Sequence, residues 1–147
     1  MLIKIGSIFS LLVFIHFVVD WVFQSHNEAM NKSKNWKARA KHCLVYMCGF
    51  VPFLHLTHLP WIYFFISINI LFWSHFIEDT YYPVFLWVKY VRKPPQFNFK
   101  YAKSSEDKER FLSFVQTNLG LILMIAIDQI IHISFLIPIA WLIALSQ

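Results

Sequence analysis

The sequence predicts an all-α fold: a polytopic membrane four-helix bundle with a short interfacial helix, built as a single transmembrane domain over residues 1–147. Hydrophobic residues make up 58% of the chain and aromatic residues 19%, whereas charged residues make up only 14%. Soluble domains contain about 25% charged residues. The charges are also clustered, which leaves apolar stretches close to the roughly 20 residues that a helix needs to cross a bilayer. This composition is typical of a multi-pass membrane protein.

Four membrane spans are predicted, at about residues 3–24, 42–56, 61–79 and 115–145. Lys4 and the apolar run after it resemble a signal peptide, but no cleavage pattern follows, so we expect a retained helix. The second span is short and contains Pro52, which predicts a tilted or distorted helix.

Aromatic side chains cluster after the third span, at Tyr81, Tyr82, Trp87 and Tyr90. Such rings favour the headgroup zone of a membrane, and Pro83 interrupts the span, so a short interfacial helix is predicted here. Further on, residues 111–145 are predicted to form one long helix. No glycine or proline stands near Asp128 that could turn the chain within this helix.

The basic residues predict the orientation of the spans. All of the 13 Lys and Arg residues except Lys4 lie in residues 25–41 and 89–110, the two loops after the first and third spans. By the positive-inside rule both loops are cytoplasmic and both termini lie outside, in the inner (cytoplasmic) membrane. The predicted partners are membrane lipids, because basic residues beside spans meet anionic headgroups. Specific binding of nucleic acid is not expected.

Three pairs of polar residues interrupt the apolar spans: His16 with Asp20, His75 with Asp79, and Asp128 with His132. A charged Asp at a bilayer centre costs roughly 2.5–3.5 kcal/mol, so such residues indicate a functional site. The last span runs in the opposite direction and carries the pair in the opposite order, so all three pairs match in depth. We expect an Asp layer near the cytoplasm and a His layer about 6 Å deeper, from the helical rise of 1.5 Å per residue.

Carboxylate and imidazole groups together are ligands for a divalent metal such as Zn, Mn or Fe. A metal would offset the cost of burying three acids and could lower the pKa of a bound water to about 7. The predicted ligands are His16, Asp20, His75, Asp79, Asp128 and His132. The residues predicted to support them or to contact substrate are Gln24, Lys32, His42 and Gln129. Two alternatives stay open: a structural hydrogen-bonded network that fixes helix register, and a path for protons or ions.

The same residues carry a resemblance to a known group of proteins. The motifs are H-x-x-x-D at 16–20 with Gln24, Lys-Ser at 32–33, His42, H-x-x-x-D at 75–79 and D-Q-x-x-H at 128–132. They resemble a family of small four-helix bacterial and phage membrane proteins of unknown function, over nearly the whole chain. The resemblance implies a fold and little biochemistry. More loosely, the chain is similar to membrane-bound metal-dependent hydrolases, from which no motif transfers residue by residue.

These observations favour a metal-dependent hydrolase of a polar-headed lipid or phosphoester, with its site open to the cytoplasmic leaflet. Loop cations such as Lys32, Lys34 and Arg92 would position the substrate. H-E-x-x-H, a Gly-rich phosphate loop and G-x-S-x-G are all absent, so no enzyme class is fixed by motif. The alternatives are a transport subunit, which would need a homo-oligomer because four helices form a narrow bundle, and a membrane-anchored interaction or effector protein.

Overall fold

A computed structural model describes residues 1–92 and 104–147, and these residues are folded into helices without a strand. The all-α prediction is therefore confirmed. The helices are α1 (Leu2–Phe17), α2 (His26–Asn31), α3 (Trp36–Leu56), α4 (Trp61–Glu78), α5 (Tyr82–Trp87), α6 (Ser104–Val115), α7 (Asn118–Ser134) and α8 (Leu136–Leu145). A π-helical turn, Val18–Val22, extends α1, and a second one, Val88–Arg92, extends α5.

Three helical segments of the described chain are long and apolar enough to cross a membrane: Leu2–Val22, Trp61–Glu78 and Asn118–Leu145. This is compatible with the predicted membrane protein. The second predicted span corresponds to α3, which has 21 residues but is not in this set. Basic residues in the first turns of α3 lower its apolarity, so composition alone does not make it a fourth span.

The predicted polar loop over residues 25–41 is largely helical, which corrects the sequence reading. Ser25 caps α2 by accepting a hydrogen bond from the Glu28 backbone N–H at 3.2 Å, and the Glu28 carboxylate accepts one from the Ser25 N–H at 3.1 Å. Such a capping box satisfies N–H groups that a helix start leaves free. The Asn35 side chain accepts from the Lys37 N–H at 2.9 Å and starts α3 at Trp36.

The predicted single helix over residues 111–145 is also wrong, because the chain breaks twice. Thr117 caps α7, its hydroxyl accepting a hydrogen bond from the Gly120 N–H at 3.0 Å. Helix α7 ends at Ser134 because Pro138 lacks the N–H that would bond to the Ser134 carbonyl. The basic segment 89–110 likewise ends in α6. Its prolines at 94 and 95 lie outside the described residues.

Two apolar cores form among the described residues. The larger core joins α1, α3, α4 and α8 through Leu12, Val19, Tyr46, Phe50, Leu54, Leu71, Leu136, Ile139, Ala140 and Ile143. A smaller one joins α5 and α6 through Val84, Val88, Phe111 and Phe114. Helices α3 and α4 form an antiparallel hairpin across a short turn, in which His58 has a φ of 51°. Along the chain, the buried His75 and Asp79 follow Leu71 of the larger core and precede Val84 of the smaller one.

One glycine permits a close approach of helices beside these polar residues. A Cβ placed on Gly49 of α3 would lie 2.3 Å from one methyl carbon of Val19 and 2.8 Å from the other. No side chain fits there, so the absence of one lets the π turn of α1 pack directly on α3. Asp20, the next residue after Val19, is thereby held against the helix that carries His42.

Candidate functional site

The π turn at the end of α1 positions Asp20. The Phe23 N–H donates to the Val18 carbonyl at 3.3 Å, so the turn contains one residue more than an α-helical turn. π turns inside helices are frequent at functional sites, because the extra residue redirects the side chains on either side of it. Asp20 is 3% exposed, which places a carboxylate in the interior at the end of an apolar span.

Four buried side chains from α1, α3 and α4 meet at one point. His42 Nε2 lies 2.8 Å from His75 Nε2 and 3.0 Å from Asp20 Oδ1. His75 Nε2 lies 3.5 Å from both Asp20 Oδ1 and Asp79 Oδ2. His42 Nε2 is 3.6 Å from Asp79 Oδ2. One oxygen of each carboxylate therefore lies within 3.6 Å of both imidazole nitrogens.

In the described part of the chain, two groups of three potential metal ligands occur, with ligand atoms within 4.8 Å of one another. One group is Asp20, His42 and His75, and the other is His75, Asp79 and His132. His75 belongs to both groups, so they form one continuous centre. All five side chains are buried.

Lys32 reaches this centre from the segment between α2 and α3. Its Nζ lies 2.8 Å from Asp79 Oδ1, 3.5 Å from Asp20 Oδ1 and 3.3 Å from His42 Nε2. Burial acts to lower the pKa of Lys32, but the carboxylates of Asp79 and Asp20 outweigh it and raise the pKa above its ordinary value. The ammonium is therefore charged, and it neutralises part of the acidic cluster.

A third buried acid, Glu78, lies on the far side of His132. Glu78 Oε2 is 3.2 Å from His132 Nε2, while His132 Nδ1 is 2.8 Å from the backbone carbonyl of Asp128. The Asp128 carboxylate is 3.8 Å from the same nitrogen and keeps a partly exposed side chain. His132 is thus oriented by its own helix on one side and faces Glu78 on the other.

His16 lies next to the centre and belongs to a supporting network. Its Nδ1 is 3.0 Å from the Tyr46 hydroxyl, and its Nε2 is 3.0 Å from Gln129 Oε1. The Tyr46 ring stacks on the His75 ring with centroids 3.9 Å apart. Because groups that hold a ligand in place tune the site they support, this network can fix the orientation of His75.

The turn after α4 holds Asp79 at the end of that helix. The Asp79 N–H donates to the His75 carbonyl at 3.0 Å, and the Tyr81 N–H donates to the Glu78 carbonyl at 2.9 Å. Tyr81 adopts a φ of 58°, which is a costly conformation for a bulky residue and is found where the surrounding structure enforces it. Burial also raises the pKa of the Tyr81 phenol.

The structure distributes the predicted site residues unevenly. Asp20, His75, Asp79 and His132 come together as ligand groups, whereas His16 and Asp128 lie beside those groups. The residues predicted as support also divide. His42 enters the centre itself, Lys32 lies between the two aspartates, Gln129 contacts His16, and Gln24 Nε2 lies 3.2 Å from both ring nitrogens of His42.

Two residues of the site are missing from the sequence prediction. Tyr46 lies one helical turn after His42, and Glu78 lies three residues after His75, so both share a face with a predicted residue. Glu78 also stands directly before Asp79 at the end of an apolar span. The helical spacing from His42 and His75 could have indicated both residues, but the prediction considered only His and Asp residues four positions apart.

A family model described as protein of unknown function (DUF3307) matches residues 8–147. The chain belongs to the DUF3307 family. The match covers every helix that contributes to the buried centre, and it confirms the prediction of a family without an assigned function. For this DUF3307 chain, searches of curated proteins and of solved structures gave no match. The likeness to hydrolases stays a prediction.

Proposed function

We propose that this protein is an integral membrane metalloprotein that binds a divalent cation between Asp20, His42, His75 and Asp79. The observation that carries the proposal is the spacing of their ligand atoms. A tetrahedral cation with bonds of about 2.1 Å separates its ligand atoms by about 3.4 Å. The five separations described above lie between 2.8 and 3.6 Å.

The charge of the cluster supports the same proposal. Four carboxylates, those of Asp20, Glu78, Asp79 and Asp128, lie close together, and Lys32 is the ammonium among the described residues that reaches them. Burying carboxylates without compensation is strongly unfavourable. A divalent cation would remove most of the excess negative charge, and two imidazoles with two carboxylates suit Zn, Mn or Fe.

The reaction that we propose for this centre is hydrolysis of an ester bond in a polar-headed lipid. A divalent cation that takes a water as a fifth ligand beside these four residues would lower the pKa of that water to about 7. The oxygen of this water would bond to the carbonyl carbon or phosphorus of the ester, the bond to the leaving oxygen would break, and the leaving oxygen would take up the proton that the water releases. Lys32 would stabilise negative charge that develops on the substrate, because its ammonium lies at the edge of the ligand set.

The membrane arrangement that we propose brings this centre near the cytoplasmic leaflet. The basic segments after the first and third spans lie inside by the positive-inside rule. The antiparallel hairpin with α4 supports α3 as a fourth span, since α4 is apolar enough to cross a membrane and the two helices pack along each other. The lipid headgroups of that leaflet would then lie at the level of Asp79.

The test is lipid ester hydrolysis by purified protein in vesicles, with and without a chelator. We expect activity that chelation abolishes and that Zn, Mn or Fe restores. His75→Ala should lose both metal and activity, whereas the control His55→Ala should retain both, because His55 is exposed at the opposite end of α3. Activity that survives chelation, or equal effects of the two substitutions, would contradict the proposal.

The position of Lys32 supports a second candidate function, a membrane-anchored interaction protein whose buried polar cluster is structural and binds no metal. The Lys32 ammonium already pairs with Asp79 at 2.8 Å and with Asp20 at 3.5 Å. If the ammonium is the essential cation, Lys32→Met leaves the acids buried without a partner and costs about 3–5 kcal/mol of stability. If a metal is bound, Lys32→Met keeps the metal and most of the stability. Metal content and thermal unfolding of this variant separate the two candidates.

A further inference from the structure

A cavity of about 520 Å³ lies beside the centre, between α4, the start of α5 and the junction of α7 with α8. Its walls are mostly apolar, with Ile70, Trp73, Ile77, Ile131 and Phe135 among them. Small-molecule sites in proteins have volumes of about 300–1,000 Å³. Both α4 and the α7–α8 segment are apolar enough to cross a membrane, so in the proposed membrane arrangement lipid tails surround this cavity.

The cavity has one acidic residue in its wall, Glu78. The Glu78 side chain is 4% exposed, and neither of its oxygens accepts a hydrogen bond from a described residue. Its Oε2 lies 3.2 Å from His132 Nε2, and His132 belongs to the ligand groups of the centre. Glu78 therefore lies at the boundary between the apolar cavity and the metal-ligand cluster, with its carboxylate oxygens buried on the side of His132.

We propose that this cavity holds one acyl chain of a bilayer phospholipid, whose ester group then lies at the Glu78 end of the cavity, beside the centre. The proposal rests on the proposed function, and it names the acyl chain as the part of the lipid substrate that the cavity binds. Phospholipid is the occupant because α4 and the α7–α8 segment, which line the cavity, are apolar enough to cross a membrane and the lining is apolar away from Glu78.

The dimensions of the cavity agree with an acyl chain. Its lining residues on α4 extend from Asn69 to Glu78, which is about 13 Å at 1.5 Å per residue. One leaflet contributes about half of the roughly 30 Å hydrocarbon core, so the cavity runs through most of one leaflet. The Asn69 amide at its inner end donates to the Phe65 carbonyl at 2.8 Å, so this polar group is already satisfied by its own helix.

The test uses the full-length protein in phosphatidylethanolamine and phosphatidylglycerol vesicles that contain a phospholipid with a diazirine in one acyl chain. Illumination links the chain to nearby residues, and mass spectrometry locates the adducts. We expect adducts several-fold more abundant at Trp73, Ile77 and Phe135 than at Ile66 and Ile130, which face outward without lining the cavity.

Two variants that fill the cavity provide the control for general lipid contact. Ser74→Phe fills it from α4 and Ile131→Phe from α7, while Ser10→Phe makes the first change on an exposed position of α1. Either filling variant should reduce the cavity adducts several-fold and slow lipid hydrolysis while its metal content equals that of the wild type. Ser10→Phe should change neither.

The outcomes separate this inference from the proposed function. Adducts spread evenly over all outward-facing residues, or cavity adducts that both filling variants leave unchanged, would overturn the acyl-chain site. A wild-type protein without metal and without hydrolytic activity would overturn the proposed function, whatever the adduct pattern. Cavity adducts that the filling variants remove, together with a matching loss of hydrolysis, support both.

Discussion

Replacing Gly49 by alanine would place a methyl group against the π turn that carries Asp20. The added Cβ would lie 2.3 Å and 2.8 Å from the two methyl carbons of Val19, far inside van der Waals contact. Val19 is buried and β-branched, so its side chain has little rotational freedom to move aside. The π turn must therefore shift, and Asp20 moves away from His42, which now lies 3.0 Å from it.

The magnitude follows from two opposing terms. An alanine in place of a helical glycine gains up to about 1 kcal/mol of helix propensity, whereas overpacking a close contact costs about 1–3 kcal/mol. Gly49→Ala should therefore lose up to about 2 kcal/mol. The matched control is Gly6→Ala, also in a helix, where an added Cβ meets nothing within 4 Å. That variant should gain stability or stay neutral.

Thermal unfolding in mild detergent and metal content measure both effects. We expect Gly49→Ala to melt below the wild type and to bind metal weakly. Adding Val19→Ala should restore both properties, because it removes the two methyl carbons and leaves the nearest Val19 atom at 3.2 Å. If Gly49→Ala behaves like Gly6→Ala in both measurements, the close packing of the π turn on α3 does not set the position of Asp20.

Three further predictions concern the edge of the site and its surroundings. Asp128→Asn should weaken metal affinity about 10–100-fold, because Asp128 orients His132, and leave the stability of the metal-free protein almost unchanged. Ile130→Asn, at a position 58% exposed, should instead reduce membrane insertion, so identical outcomes would refute the assignment of faces. The hydrogen bond from Lys41 lowers the pKa of Glu28 from 4.5 to about 2. The pair is exposed on its Lys41 side, so its contribution of about 0.2–1 kcal/mol is present above pH 4.5 and lost as the pH falls toward 2, and Glu28→Gln should remove that part of the pH dependence of unfolding. Finally, a cysteine at position 34, in a variant without the two native cysteines, should resist an impermeant reagent in intact cells, and its modification would contradict the proposed orientation.

The helical fold and the convergence of several polar residues could be predicted because unpaired polar side chains are unfavourable among apolar helices. One apolar helix carries His16 and Asp20 one turn apart, and another carries His75 and Asp79 at the same spacing. All four side chains are buried in the structure. Since an isolated acid in hydrocarbon needs partners, the convergence of these residues followed from their cost alone.

The contribution of the segment between α1 and α3 could not be predicted in the same way. Lys32 belongs to a run of basic residues, and such runs usually face lipid headgroups. Its return into the interior depends on the capping box that folds α2 and on the cap at Asn35. The π turn at Asp20 likewise has no periodic signal, because tertiary packing of Val19 against Gly49 accompanies it.

The breaks in the last predicted helix have local causes in the sequence. Pro138 removes one backbone donor, and Thr117 with Gly120 forms a cap, whereas the absence of Gly and Pro near Asp128 predicted a continuous helix. The full length of α3 was harder to predict from composition. Its first turns are basic and lower its apolarity, although α3 is a helix of 21 residues that packs against α4.

The central claim is that Asp20, His42, His75 and Asp79 bind a divalent cation. Its most direct test is elemental analysis of the purified wild type in mild detergent, beside thermal unfolding with and without a chelator. The account predicts stoichiometric Zn, Mn or Fe and a lower melting temperature after chelation, since a ligand at about 100 times its Kd stabilises the folded state by about 2.7 kcal/mol. A wild-type protein that contains no metal and melts at the same temperature with and without the chelator would contradict it.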